Sequence, residues 1–170
     1  MKVAPLFRHP DGYTLRLSRP EDAEAYYRNN FDPLDSELVR LTGSKAYFAR
    51  EEVVDFFLKC TADPNRYDFL ICTPDGRIIG ESILNEIDWD TKSANFRIAL
   101  FHPEDRNRGI GTWSVEKTVA FGFHALALKQ ITLTVFPFNR PAIHVYEKAG
   151  FQPVALLTDP NEIEMKLTAH

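Results

Sequence analysis

Arg106-Asn107-Arg108-Gly109-Ile110-Gly111-Thr112 joins an alternating segment, Ser93 to Leu100, to a long helical one, Ile110 to Leu128. Glycine at this junction permits unusual dihedrals and lets another molecule approach the main chain closely. The start of a helix presents N–H groups without intrahelical acceptors, together with the positive end of the helix dipole. A loop of this kind cradles an anion and suits a pyrophosphate. Arg106 and Arg108 add positive charge to it. A dinucleotide-binding unit would need a third glycine, a preceding parallel strand and a carboxylate at the end of the next strand. Here the third glycine is missing, and the next strand ends Val135-Phe136-Pro137. That reading is rejected.

The segments around the loop set the architecture. Upstream, Tyr67 to Thr73 and Arg77 to Trp89 are strands joined by the turn Thr73-Pro74-Asp75-Gly76. A second turn, Asp88 to Lys92, leads into Ser93 to Leu100, where Ala94, Phe96, Ile98 and Leu100 face one way and Asn95, Arg97 and Ala99 the other. Three antiparallel strands therefore precede the loop. Gly12 to Arg16 reads as a first strand. Ser18-Arg19-Pro20-Glu21 resembles a capping box opening a helix to about Asn30. A short helix is expected around Glu37 to Leu41, and another from Glu51 to Lys59.

Downstream, Gln130 to Phe136 is a strand, Pro141 to Ala149 a short helix stopped by Gly150, and Gln152 to Leu157 and Glu162 to Leu167 are two last strands. The fold class is α+β (mixed α/β): a twisted mixed sheet with an antiparallel N-terminal meander and a strand–helix–strand core in its second half. Residues 1–170 are expected to form one domain with a core of about 12–168.

The bulk numbers exclude several functions. Hydrophobic residues make up 44% and charged residues 26% of 170, a globular profile. A net charge of −4 gives no sign of nucleic-acid binding. No apolar stretch approaches a membrane span, and the first ten residues lack a signal-peptide core, so a cytoplasmic protein is expected. Cys60 and Cys72 read as reduced core thiols. The histidines show no zinc-ligand spacing with them, so no metal is expected.

A second motif follows the loop: Phe138-Asn139-Arg140-Pro141-Ala142-Ile143-His144-Val145-Tyr146-Glu147-Lys148-Ala149-Gly150-Phe151. An R-x-x-G-x-G loop, one helix, one strand and then N-x-x-A-x-x-x-Y-E-K-x-G-F resembles the coenzyme A core of the GNAT superfamily. The likeness is greatest to the branch acetylating ribosomal-protein N-termini, polyamines and similar amines. The paired motifs span Phe101 to Val154, and the flanking element order agrees.

The resemblance implies an enzyme that uses acetyl-coenzyme A as cosubstrate and acetylates a primary amine. It implies that the strand ending at Leu100 opens away from Gln130–Phe136. The backbone of Ile98, Ala99 and Leu100 would then bind the pantetheine arm. The amides of Arg106, Asn107, Arg108, Gly109, Ile110, Gly111 and Thr112 would hold the pyrophosphate. Asn139 would contact the cofactor arm, a role compatible with capping the next helix. Tyr146 would protonate the departing thiolate, and a backbone N–H near Leu100 would stabilise the oxyanion. Direct attack in a ternary complex is expected, without an acyl-enzyme.

The general base stays open. Relatives often carry glutamate at the level of Asn95, and asparagine cannot accept the proton. Glu86 is taken as the substitute, with Asp88, His102 and a water chain as alternatives. The acceptor site is implied at about 29–47, where Asp32, Asp35 and Glu37 could attract a cation. A coenzyme A-binding module without chemistry is the rival function. The wet-faced final strand offers an edge for a homodimer.

Overall fold

The computed structural model describes residues 2–156 and 161–170. Eight strands form one sheet: β1 (Phe7–Arg8), β2 (Thr14–Leu17), β3 (Tyr67–Cys72), β4 (Ile78–Asp88), β5 (Ser93–Leu100), β6 (Gln130–Val135), β7 (Gln152–Leu156) and β8 (Ile163–Thr168). Their spatial order is β1-β2-β3-β4-β5-β6-β8-β7. Five α-helices accompany them among the described residues: α1 (Ala23–Asn30), α2 (Ser36–Thr42), α3 (Arg50–Ala62), α4 (Ile110–His124) and α5 (Arg140–Lys148). Every neighbouring pair is antiparallel except β5 and β6. A parallel pair cannot be joined by a tight turn, and α4 supplies the crossover. The fold is α+β, as the sequence implies.

Helices cover both faces of the sheet. β3 is buried along its whole length, because its side chains alternate between two apolar layers. Tyr67 and Phe69 each pack against Phe121 of α4 with ring centroids 5.2 Å apart. On the opposite face, Leu70 and Cys72 join Phe57 of α3 and Tyr26 of α1. Both cysteines are free and buried. No helix among the described residues is long and apolar enough to cross a membrane.

Four local expectations need correction. The helix start lies one residue later than Ser18. The Ser18 amide is used in the sheet, bonding the Asp68 carbonyl at 2.8 Å. Asp22, not Glu21, then reaches back to the Arg19 amide at 2.9 Å, held in place by two 2.8 Å bonds from the Arg16 guanidinium. α4 stops at His124 rather than Leu128. Ala127 adopts a positive φ of 57°, which folds Leu128 back under the helix into the core. In the sequence, that apolar side chain reads as one more helical turn. β1 pairs with β2, at a place where the sequence shows no strand pattern. Finally, β8 is not an edge: it pairs with β6 on one side and β7 on the other, so β7 is the outer strand. The expected strand end at Leu157 lies outside the described residues.

Candidate active site

β5 and β6 pair over three positions only, Ser93↔Gln130, Ala94↔Ile131 and Asn95↔Thr132. Beyond them β5 stays with β4 as far as Leu100, while β6 stays with β8 as far as Val135. Each strand keeps its antiparallel partner and the pair splays apart. Two connected hollows occupy the wedge. One, of about 270 Å³, is lined by Asn95 to Ile98, Thr134 to Phe136, Asn139 and Tyr146. The other, of about 590 Å³, runs along Ile98, Ala99 and Leu100 past Arg106, Asn107, Gly109, Gly111 and Thr112 to α5.

The glycine loop has the form an anion cradle needs. Asn107 and Gly109 both lie in the left-handed region, at φ 63° and 78°. Gly109 caps α4, whose first intrahelical bond runs from the Trp113 amide to the Gly109 carbonyl. The amides of Ile110, Gly111 and Thr112 precede that ladder and carry no acidic neighbour in the first turn. A side chain at Gly111 would stand in the groove, where the nearest atom is Leu100 Cδ1 at 3.8 Å. The two arginines serve differently. Arg108 is exposed and donates to the Glu104 carbonyl. Arg106 turns back to donate to the Leu100 carbonyl at 3.1 Å and faces Asp35 at 3.5 Å.

α5 brings the second motif to the same wedge. Its N-cap, Asn139, accepts from the Ala142 amide and donates to the Leu41 carbonyl, both at 3.3 Å. Tyr146 is 6% exposed, packed edge-on against Phe96 and Phe151. Its hydroxyl makes no hydrogen bond to another described residue. Burial pushes the phenol well above its ordinary range, so it stays protonated and can donate but not accept a proton at neutral pH.

Tyr146, Asn139, Ile98 to Leu100 and the glycine loop are thus brought together. Glu86 is not. It sits exposed on a bulge of β4, at φ 51°, and lines neither hollow of the wedge. Asp88 is tied to the amides of Asp90 and Thr91. His102 Nε2 lies 2.6 Å from the Asn29 carbonyl. Asn95 donates to Asn85 at 2.8 Å. In the region implied for the acceptor, Asp35 caps α2 through the Leu38 amide and Glu37 pairs with Arg40. No cluster of three or more metal-ligating side chains occurs among the described residues.

A third cavity, of about 390 Å³, lies on the face covered by α1 to α3. It shares Ala99 with the groove and Arg97 with the Tyr146 hollow. Its floor holds a carboxylate missed from the sequence, Glu81 of β4. The Tyr26 hydroxyl donates to Glu81 at 2.8 Å. Burial, with the charge of Asp68, pushes the Glu81 carboxyl up to about 7. The available signal was a charged residue inside Ile78-Ile79-Gly80-Glu81-Ser82-Ile83-Leu84, a strand otherwise apolar on this face.

A wedge between splayed parallel strands, a glycine-capped helix and a tyrosine facing the gap are joined by a matching sequence family: a model described as an acetyltransferase (GNAT) domain covers residues 13–152. The chain belongs to the GNAT acetyltransferases. It is an acetyl-coenzyme A-dependent N-acetyltransferase. Spermidine N(1)-acetyltransferase of Escherichia coli (strain K12) is 29% identical over 143 residues, 84% of this chain and 75% of that one. Among solved structures, spermidine N-acetyltransferase from Vibrio cholerae, in complex with CoA and spermine, superposes with a TM-score of 0.80 at 23% identity, covering 92% of this chain and 95% of that one. Ribosomal-protein-S5-alanine acetyltransferase from Vibrio fischeri also gives 0.80, at 18% identity and 97% coverage of each chain. These two likenesses are of fold. The acetyltransferase's wedge fits the cofactor it uses: the β5 main chain is released from β6, and the α4 amides and Gly111 border an open groove.

Proposed function

We propose that this acetyltransferase carries the acetyl group to a primary amine by direct attack in a ternary complex. The observation that carries the reading is the meeting of two cavities across Ala99, one bordered by the glycine loop and the other by Glu81. Acetyl-coenzyme A supplies an acetyl thioester whose carbonyl carbon is the electrophile. Ile98, Ala99 and Leu100 hold the pantetheine arm along the side of β5 that has parted from β6. The amides from Arg106 to Thr112 hold the pyrophosphate. A backbone N–H near Leu100 faces the developing oxyanion. Asn139 fixes the start of α5 and borders the cofactor arm. Tyr146, kept protonated by burial, gives its proton to the departing sulfur.

The chain acts as one domain over 1–170, in the cytoplasm. A homodimer is the assembly we favour, with the outer strand β7 rather than β8 as the available edge.

The test is thiol release from acetyl-coenzyme A with a panel of primary amines. Tyr146→Phe should lower kcat about 10²-fold. It should leave the thermal shift caused by acetyl-coenzyme A in place. An unchanged kcat removes Tyr146 from the chemistry. No thiol release with any amine, despite cofactor binding, would make the protein a coenzyme A-binding module.

A further inference from the structure

Among the described residues, the third cavity contains three carboxylates, and two of them are already neutralised. Asp68 receives two 2.8 Å bonds from the Arg66 guanidinium. Glu52 pairs with Lys45 at 2.5 Å. Glu81 has no cationic partner within ion-pair distance among the described residues, and its side-chain hydrogen bond comes from Tyr26. It is held on the floor of a cavity whose walls are largely apolar and aromatic, among them Leu38, Phe31, Phe48, Phe57 and Phe101. Glu81 stands directly opposite Ala99 in the β4–β5 register. Neighbouring strands lie about 5 Å apart, so this carboxylate faces the stretch of β5 that separates the cavity from the cofactor groove.

The charges around Glu81 also limit what can enter. An extended polycation needs a carboxylate for each ammonium group. Beyond Glu81, the cavity offers only carboxylates that already have partners. It also contains two cations, Arg66 and Arg97. Arg97, on β5, is exposed and makes no ion pair with another described residue. A second ammonium group would meet this unpaired positive charge, which repels it.

We propose that Glu81 is the catalytic base and ammonium anchor of this acetyltransferase, and that its acceptor is a primary amine with one cationic head and an apolar, aliphatic or aromatic body. The proposal rests on the acetyl-transfer reading above and extends it. Glu81 takes one proton from R–NH3+, leaving the neutral amine with its lone pair directed at Ala99. The C–N bond forms at the thioester carbonyl and the C–S bond breaks, its electron pair leaving with sulfur. Sulfur gains the proton supplied by Tyr146. The second nitrogen-bound proton, lost as the amide forms, balances that gain. Glu81 returns its own proton to solvent once the neutral amide has left.

The groups facing Glu81 are Tyr26 from α1, Cys60 from α3, Arg66 and Asp68 beside and on β3, and Arg97 from β5. Burial and Asp68 raise its carboxyl, while the Tyr26 bond, Arg97 and Arg66 lower it, and the balance lies near 7. A base of that strength is suited to work at neutral pH.

The test uses the purified full chain with acetyl-coenzyme A, comparing 2-phenylethylamine with spermidine from about pH 5.5 to 9. The expected kcat/KM is at least about tenfold higher for 2-phenylethylamine, with a rising limb centred near pH 7. Glu81→Gln should lower kcat/KM about 10²-fold and remove that limb. It should keep the thermal shift with acetyl-coenzyme A. A measurement on the unaltered protein covers the case of a variant that does not fold. Calorimetry of 2-phenylethylamine binding, with coenzyme A present, in two buffers of different ionisation enthalpy near pH 7, should show release of about half a proton as Glu81 ionises against the ammonium.

Preference for spermidine, no proton release, or an unchanged pH profile in Glu81→Gln each overturns the proposal while acetyl transfer stands. Absence of thiol release with every primary amine overturns the acetyl-transfer reading, and the proposal with it.

Discussion

Glu81 is a residue the fold holds at a cost. Its carboxyl titrates near 7 in the folded chain against an ordinary 4.5. Between those values the folded state binds more protons than the unfolded one, so stability falls as pH rises from about 4.5 to 7 and stays lower above. Glutamine keeps an oxygen for the Tyr26 hydroxyl and removes the titration. Glu81→Gln is therefore expected to be more stable than the parent by about 1–3 kcal/mol near pH 8, and equal to it near pH 4.5. Urea denaturation at the two pH values measures this; a pH-independent difference would mean that Glu81 is not strained. Neighbouring parts of the site are legible in the sequence because their signals are local. Gly109, Asn139 and Tyr146 each announce themselves within one loop or one helix. Glu81 does not, since Tyr26, Asp68 and Ala99 reach it from three distant segments through sheet register. Glu86, which lines none of the three cavities once the bulge of β4 is formed, looks equally suitable in a linear reading.

Elements are readable where a periodic pattern ends on a turn signal, and misread where tertiary contacts override it. The β3–β4 hairpin closes as its turn residues imply, with the Gly76 amide bonded to the Thr73 carbonyl at 2.9 Å. The end of α4 is hidden because Leu128 returns to the same core that the helix faces. The position of β8 is hidden because alternation shows that a strand has a wet face and says nothing of its neighbours. One glycine sets the contact between two strands. A Cβ on Gly80 would lie 2.5 Å from the Ala99 carbonyl oxygen, a main-chain atom that cannot swing aside. Gly80→Ala is expected to force β4 and β5 apart beside Ala99, costing about 1–3 kcal/mol. It should reduce thiol release beyond what the fall in stability explains. Denaturation and kinetics on the same preparation check this; wild-type values for both would show that the strands can relax without harm.

At the scale of the whole molecule, the sheet is two antiparallel halves, joined through β5 and β6 by three paired positions and by α4. A ligand lying between the halves binds only the folded arrangement. Acetyl-coenzyme A at about a hundred times its dissociation constant should add roughly 2.7 kcal/mol. For a chain of this length that raises Tm by about 5–10 °C. ADP alone should give a smaller rise, because it engages the loop but not the gap between the strands. No shift at millimolar acetyl-coenzyme A would contradict the assignment of the groove.

The bond from Asn139 to the Leu41 carbonyl has a bearing on how the two substrates meet. Asn139 begins the helix that carries Tyr146, and Leu41 lies near the end of α2, the helix whose Leu38 walls the third cavity. One side chain thus ties the helix of the proposed proton donor to a wall of the proposed acceptor cavity. A substrate that settles either helix is expected to prepare the other, and linkage makes such help reciprocal. Whatever factor bound acetyl-coenzyme A adds to the affinity for the amine, bound amine adds to the affinity for acetyl-coenzyme A. Synergy in binding, rather than a fixed order of arrival, is the kinetic behaviour expected from this contact.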